Sequence, residues 1–303
     1  MSSPAILITG ATGNNGAEVV RQLSARGVPL RALVRDPAKA EPLRLPGVEI
    51  AAGDFLDPPT LDWALDGIQK VFLVSAPGPD QVRMQNNVVE AARRTGTVRH
   101  LVKLSSLGAA PDSPVRFGRW NGETERQIEA SGIAWTHLRP NNFLQGLLLF
   151  APMIRAQGAF FDPLGDARVS WVDVRDIAAV AAAVLTAPAG HENQAYALTG
   201  PEALTGNEIA QAIAAAAGRD VRYVPIEPEA FRQGALGAGA PSWQADGLVE
   251  LYAALKAGMG SVVTDTIARV AGKAPTTIAQ FARDHAGAFA GAASENGKES
   301  NPS

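Results

Sequence analysis

Short apolar runs alternate with helical patterns through the first half of this chain, and no other feature restricts the fold as strongly. The runs are Ala5 to Thr9, Leu30 to Val34, Val48 to Ala51, Val71 to Ser75, His100 to Ser105 and Ala134 to Leu138. Helical candidates lie between them at Asn15 to Arg26, Leu61 to Leu65, Pro79 to Arg94 and Asn121 to Ser131. Gly27, Gly67, Gly96 and Gly132 each stand just past such a stretch, where a helix ends on a left-handed residue. Strands joined by helical crossovers build a parallel sheet covered on both faces, so the expected class is α/β with a doubly wound sheet of six strands.

The pattern changes after Pro140. A loop-rich stretch over 151–168 precedes "WVDVRDIAAVAAAVL", a short strand at Gln194 to Leu198 and an amphipathic helix at Gly206 to Ala217. Small residues accumulate in "GALGAGAPSW", 234–243, which reads as a mobile connection of the kind that borders a ligand. With 303 residues, one large lobe and a smaller appendage are expected.

Charges nearly cancel, 27 basic against 30 acidic, which argues against a nucleic-acid surface. The absence of cysteine excludes disulfides, thiolate metal sites and a cysteine nucleophile. Met1-Ser2-Ser3-Pro4 runs straight into a strand pattern without a basic leader, and no apolar stretch is long enough to span a bilayer. A cytoplasmic protein with no membrane contact is therefore expected.

Within "ILITGATGNNGAEVVRQL", Gly10, Gly13 and Gly16 stand three apart between the first strand and the first helix. The first lets the chain turn sharply, the second lets backbone N–H groups approach a pyrophosphate, and the third lets helix pack closely on strand. The helix N-terminus adds unpaired donors and a partial positive charge, and Thr12, Asn14 and Asn15 offer side-chain donors to the same anion. A turn that binds nothing is the rival reading, but the position at the first strand–helix junction favours a dinucleotide. The expected organisation is thus a Rossmann-type dinucleotide-binding domain over 1–150, then a smaller, discontinuous C-terminal α/β substrate lobe over 151–288. A segment near 170–186 returns to the first domain, and the polar tail, 289–303, is disordered.

Where an NAD-binding fingerprint ends its second strand on an acidic residue, this chain has Arg35. A planar guanidinium suits a 2′-phosphate, Lys39 stands nearby, and NADP(H) is expected in preference to NAD(H). Two alternatives stay open: Arg35 as a surface charge paired with Asp36, and Asp36 turned back to the ribose. Asp54 and Phe55 follow the third strand, where they would bracket the adenine; Ser75, Ala76 and Pro77 follow the fourth, where they would reach the nicotinamide ribose. Pro140 ends the sixth strand beside the expected nicotinamide site.

Taken together, "ITGATGNNG", "LVRDP", "GDFLD", "VFLVS", "HLVKLSSLGA" and "ASGIAWTHLRPNNFLQ" resemble, in order and spacing, the atypical short-chain dehydrogenases. Within them the chain is similar to the NmrA-like group, which includes quinone reductases and triphenylmethane dye reductases. The resemblance spans roughly 5–285, since "YALTGPEALTGNEIAQAI" and "FARDHAGAF" look like the small C-terminal lobe of that group. Common short-chain dehydrogenases use a Tyr and a Lys four residues later. Only Tyr252 and Lys256 have that spacing here, in the wrong lobe, while "RFGRWNGETERQIEASG" has neither residue. Asn121 stands where the dye and quinone reductases often carry His or Lys, and Ser105 and Ser106 match the region of the family's catalytic serine. The resemblance thus nominates Ser105 and Asn121 as catalytic candidates. His100, His137, His191 and His285 are scattered, and no metal site is expected.

Missing proton machinery is compatible with hydride transfer from NADPH to a small conjugated electron acceptor such as a quinone or dye. Asn141, Phe143 and Trp120 are the expected substrate contacts, with Trp171 or Trp243 from the later lobe. The competing class is a non-catalytic NADP(H) sensor acting through a partner protein, as some NmrA-like proteins do.

Overall fold

The computed structural model describes residues 5–290. Its strands are β1 (Ile6–Ile8), β2 (Leu30–Val34), β3 (Val48–Ala52), β4 (Lys70–Leu73), β5 (His100–Leu104), β6 (Ala134–Pro140), β7 (Ala159–Asp162), β8 (Gln194–Leu198) and β9 (Arg222–Pro225). Seven of them form one sheet in the order β3-β2-β1-β4-β5-β6-β8, and every pairing is parallel. Strand order reverses between β1 and β4, so the connections leaving their carboxyl ends diverge and open a crevice there.

The α-helices are α1 (Asn14–Ala25), α2 (Pro58–Ala64), α3 (Gln81–Thr95), α4 (Arg116–Ala130), α5 (Ala151–Gln157), α6 (Val174–Thr186), α7 (Gly206–Ala217), α8 (Pro228–Gly237), α9 (Ser242–Lys256), α10 (Thr266–Ala271), α11 (Ile278–Asp284) and α12 (Ala286–Phe289). Side chains alternate across the sheet as the pleat requires. Ile6, Ile8, Phe72, Val102 and Leu138 pack with α1, α6 and α10 on one face. Leu7, Val71, Leu73 and Leu101 pack with α2, α3 and Ile128 of α4 on the other. A separate apolar cluster joins α5, β7, α7, β9, α9 and α11, with Phe160, Phe281 and Phe289 fully enclosed. No helix among the described residues is long and apolar enough to cross a membrane.

Four differences from the sequence reading have physical causes. Gln194–Leu198 adds a seventh parallel strand beside β6, because "WVDVRDIAAVAAAVL" forms α6 and serves as its crossover. The 151–168 stretch contains α5 and β7, which pairs with β9. The stretch read as a mobile connection is helical: α8 runs to Gly237 and α9 starts at Ser242, with Gly239 at φ +88° in the tight turn between them. Phe289, placed in the tail by the sequence reading, is buried, while 291–303 and the Met1-Ser2-Ser3-Pro4 start lie outside the described residues.

Helix α4 begins at Arg116, five positions ahead of the expected Asn121. Gly118 weakens the helical signal ahead of Asn121 by about 1 kcal/mol against alanine, and both it and Gly122, inside the expected helix, are there for contact. A methyl group on Gly118 would lie 2.3 Å from Ser113 Oγ, and one on Gly122 would lie 2.3 Å from the Ala110 carbonyl carbon. The loop after β5 thus rests directly on α4, which fixes the helix over the carboxyl end of that strand. Gly122→Ala should destabilise the protein by about 2–3 kcal/mol through overpacking against backbone, measured as a lower midpoint in chemical denaturation.

Candidate active site

The first turn after β1 is built for close backbone approach. Gly10 has φ +54°, and a methyl group there would stand 2.8 Å from the Val74 carbonyl oxygen. A methyl group on Gly16 would stand 2.2 Å from the Gly10 oxygen. The Thr9 hydroxyl ties β1 to the end of β4, accepting from Val74 N–H and donating to Val74 O, both at 2.9 Å. Gly13 caps α1 without any side-chain hydrogen bond, so no side chain occupies the donors of the first turn. Thr12, Gly13 and Asn14 are exposed there, and the buried Asn15 Oδ1 has no partner. An uncapped helix start and a glycine backbone that admits close approach suit a pyrophosphate-bearing nucleotide, whose hydroxyl groups could donate to the Asn15 oxygen.

The remaining sequence candidates lie along the same sheet edge. Arg35 is exposed directly after β2 and makes no ion pair among the described residues. Asp36 is committed elsewhere: its Oδ1 accepts from Ala38 N at 3.0 Å and caps the turn Pro37–Lys39. Asp54 Oδ1 accepts from Leu56 N at 2.9 Å, and Phe55 leans half-buried on the α2–α3 cluster. Ser75 Oγ accepts from Gln85 Nε2 at 2.9 Å, with Ala76 and Pro77 exposed beside it.

From Asn14 a cleft of about 1130 Å³ extends over the carboxyl ends of β5 and β6 into the second apolar cluster. Ser105, Ser106, Pro140 and Asn141 line it on the sheet side; Phe143, Leu149, Phe150 and Met153 form one wall; Phe231, Leu251 and Tyr252 face them, and the α8–α9 turn also contributes. Among the described residues no Asp, Glu, Lys, Arg or His lines it. The Ser105 hydroxyl is buried, and together with the Arg139 guanidinium it helps hold the Glu125 carboxyl low. Asn141 is committed to holding the floor, its Nδ2 donating to Ser170 Oγ and Gly260 O at 2.8 Å each. Trp120 stands outside the lining, edge-on to Phe117 at 5.7 Å and 5.9 Å from Trp243, whereas Phe117 and Trp171 do line the cleft.

Asn121 lies one layer below the cleft, its Nδ2 donating to Ser106 Oγ at 3.1 Å. Its Oδ1 accepts from Lys103 Nζ at 2.7 Å, a contact the sequence reading missed. The available signal was a lysine in the middle of the apolar strand "HLVKL". Burial pulls the Lys103 ammonium down to about 7. Burial also works to raise the Glu125 carboxyl, but the hydrogen bonds from Arg139, at 3.0 and 2.5 Å, hold it below its ordinary value. Glu125, Glu129 and His137 converge, a grouping that sequence spacing did not bring out. Arg139 occupies both oxygens of Glu125, and His137 Nε2 meets Glu129 Oε1 at 3.2 Å. Tyr252 packs edge-on to Phe231 at 4.8 Å in α9, and burial pushes its phenol upward.

Burial holds His100 and His137 at about 4, against an ordinary value of 6.5. Between those values the unfolded chain binds more protons than the folded one, so stability falls as pH falls through that window. The loss should reach about 3 kcal/mol for each histidine, read from denaturant midpoints at pH 7, 5.5 and 4.5, and His137→Gln should remove about half of the slope.

A family model described as the NmrA-like family matches residues 2–282. The chain is 50% identical over 287 residues to an NAD(P)H azoreductase of Xenophilus azovorans, covering 95% of this chain and 100% of the relative. Among solved structures it is similar to an NADPH-dependent quinone oxidoreductase of Escherichia coli in complex with NADPH, with TM-score 0.84 and 31% identity over 92% of this chain and 99% of the other. A Citrobacter sp. triphenylmethane reductase with NADP(H) gives TM-score 0.82 and 29% identity over 93% and 99%.

Proposed function

The chain belongs to the NmrA-like family, and from that premise we propose that it is an NADPH-dependent reductase that delivers hydride to small conjugated acceptors such as quinones and azo or related dyes. The observation that carries this reading is the continuity of one cleft from Asn14, in the first turn of α1, past Ser105, Ser106 and Pro140 into an apolar chamber. A nucleotide held at the glycine turn would thereby reach an acceptor with water largely excluded. The relatives at 29–50% identity carry reductase names, which favours the enzyme over the sensor.

In this reading Gly10, Thr12, Gly13, Asn14, Asn15 and Gly16 hold the pyrophosphate with main-chain and side-chain donors. Asp54 and Phe55 flank the adenine, and Ser75, Ala76 and Pro77 follow the ribose towards Pro140. The reduced nicotinamide supplies the hydride. Phe143, Phe231 and Tyr252 shape a slot for a flat ring system, and the half-buried Ser106 offers a hydroxyl where negative charge grows on the acceptor, while the Ser105 hydroxyl stays buried behind the lining. Proton delivery needs no Tyr–Lys pair, since a hydride acceptor with delocalised charge is finished by water.

Preference for NADP(H) rests on Arg35, which is exposed and uncommitted at the end of β2 while Asp36 is tied into its own turn. Arg35→Ala should weaken NADPH binding by about tenfold or more, since charge-assisted hydrogen bonds contribute roughly 1.5–3 kcal/mol, and leave NADH nearly unchanged. Equal loss of both in a fluorescence titration would remove the 2′-phosphate assignment. The reaction itself is tested by following NADPH absorbance with a panel of quinones and azo dyes. Turnover should exceed a protein-free blank for the neutral, flat members, and rates no higher than the blank across the panel would sink the reductase reading.

A further inference from the structure

Lys103 is the residue that the proposed reaction leaves unexplained. It projects from β5 into the space below α4 and is fully enclosed. A lysine in that position is ordinarily paired with a carboxylate. Lys103 forms no ion pair among the described residues, because the nearby Glu125 carboxylate is held by Arg139. The ammonium is instead bonded to two neutral oxygens, Leu104 O at 3.1 Å and Asn121 Oδ1 at 2.7 Å.

Those bonds fix the direction of every hydrogen bond between Lys103 and the cleft. An ammonium only donates, so the Asn121 atom facing it is the carbonyl oxygen. Gln81 Nε2 donates to the same oxygen at 3.1 Å. The Asn121 NH₂ group must then face Ser106, whose Oγ accepts at 3.1 Å. Ser106 cannot return its proton to Asn121, and the half-buried Ser106 lines the cleft. We propose that Lys103 is a positioning residue for acceptor reduction: it locks the Asn121 amide so that Ser106 points its hydroxyl proton into the cleft.

This inference rests on the reductase reading and refines it. As hydride, carrying both electrons, arrives from the reduced cofactor at one atom of the acceptor, negative charge grows on a carbonyl oxygen or azo nitrogen. Ser106 stabilises that charge by a hydrogen bond without breaking its own O–H bond, and water supplies the proton that completes the product. The acceptor favoured is one that presents such an atom and carries no anionic substituent, since among the described residues no cationic side chain lines the cleft.

The charged and titratable groups facing Lys103 are Glu125 on α4 and His137 and Arg139 on β6. Glu125 and Arg139 hold each other in their charged forms, and burial keeps His137 neutral down to about 4. Lys103, at about 7, is therefore the group in this layer that changes charge near neutral pH. Loss of its proton replaces the charge-assisted bond to Asn121 Oδ1 by a neutral one, so the amide is held less firmly although Gln81 Nε2 still donates to the same oxygen.

The test uses the full chain with NADPH and a small neutral quinone. Lys103→Met should lower kcat by about tenfold with KM within about twofold, a smaller loss than removal of a direct donor. Wild-type kcat should fall as pH rises above 7, and that fall should be absent in this variant. Asn121→Asp gives Lys103 a carboxylate partner but draws the Ser106 proton away from the cleft, so kcat should fall as far while the denaturation midpoint holds or rises. Independently of turnover, the side-chain amide resonances of Asn121 should titrate with a midpoint near 7 in wild type and stay fixed in Lys103→Met. Unchanged kcat and pH profile in Lys103→Met, wild-type kcat in Asn121→Asp, or an amide that does not titrate would each overturn the proposal. A wild-type protein that titrates as described and yet reduces no quinone would count against the reductase reading instead.

Discussion

The backbone of the first turn lies so close to the start of α1 that a single methyl group on Gly16 would collide with the Gly10 carbonyl oxygen. The rest of the site depends on that contact. It brings the uncapped end of α1 to the crevice between β1 and β4, where the Thr9 hydroxyl holds the two strands together. From there the cleft opens over β5 and β6, so the nucleotide-facing turn and the apolar chamber share one edge of one sheet. Parallel pairing makes this possible, because it gathers the carboxyl ends of all the strands on the same side.

Charge is arranged in layers. Among the described residues the cleft wall holds neutral side chains only, while Lys103, Glu125, Arg139 and His137 lie beneath it between β5, β6 and α4. Neutral dipoles, those of Asn121 and Ser106, connect the two layers. Such a layout lets a buried charge act through oriented hydrogen bonds. Their electrostatic effect is larger there than at a solvated surface.

Much of the sheet was legible because β1 to β6 are apolar runs separated by glycine-capped helices, and each run stays in place once both faces are buried. The glycine turn was legible from its position between strand and helix. Other features were hidden for identifiable reasons. Gly118 and Gly122 read as helix-weakening residues, although close packing against the 108–113 loop requires them. The "GALGAGAPSW" stretch read as a loop because glycine carries no propensity signal that separates a helix end from a linker. The link from Lys103 to Asn121 joins a strand to the following helix, and no local period encodes it. Trp120 and Trp171 could not be told apart by type; the structure encloses Trp120 between Phe117 and Trp243 and leaves Trp171 on the cleft.

The path of the chain between its two apolar clusters bears on how this protein can change. After β6 the chain enters the second cluster through 144–171, returns to the sheet with α6 and β8, leaves again through α7 and α9, comes back with α10 and ends in α11 and Phe289. Each passage is stitched into both halves, so the acceptor-facing half cannot be exchanged as a cassette or lost by a single deletion. New acceptor ranges on this scaffold must therefore arise residue by residue along the chamber wall, with the coenzyme-facing edge inherited unchanged.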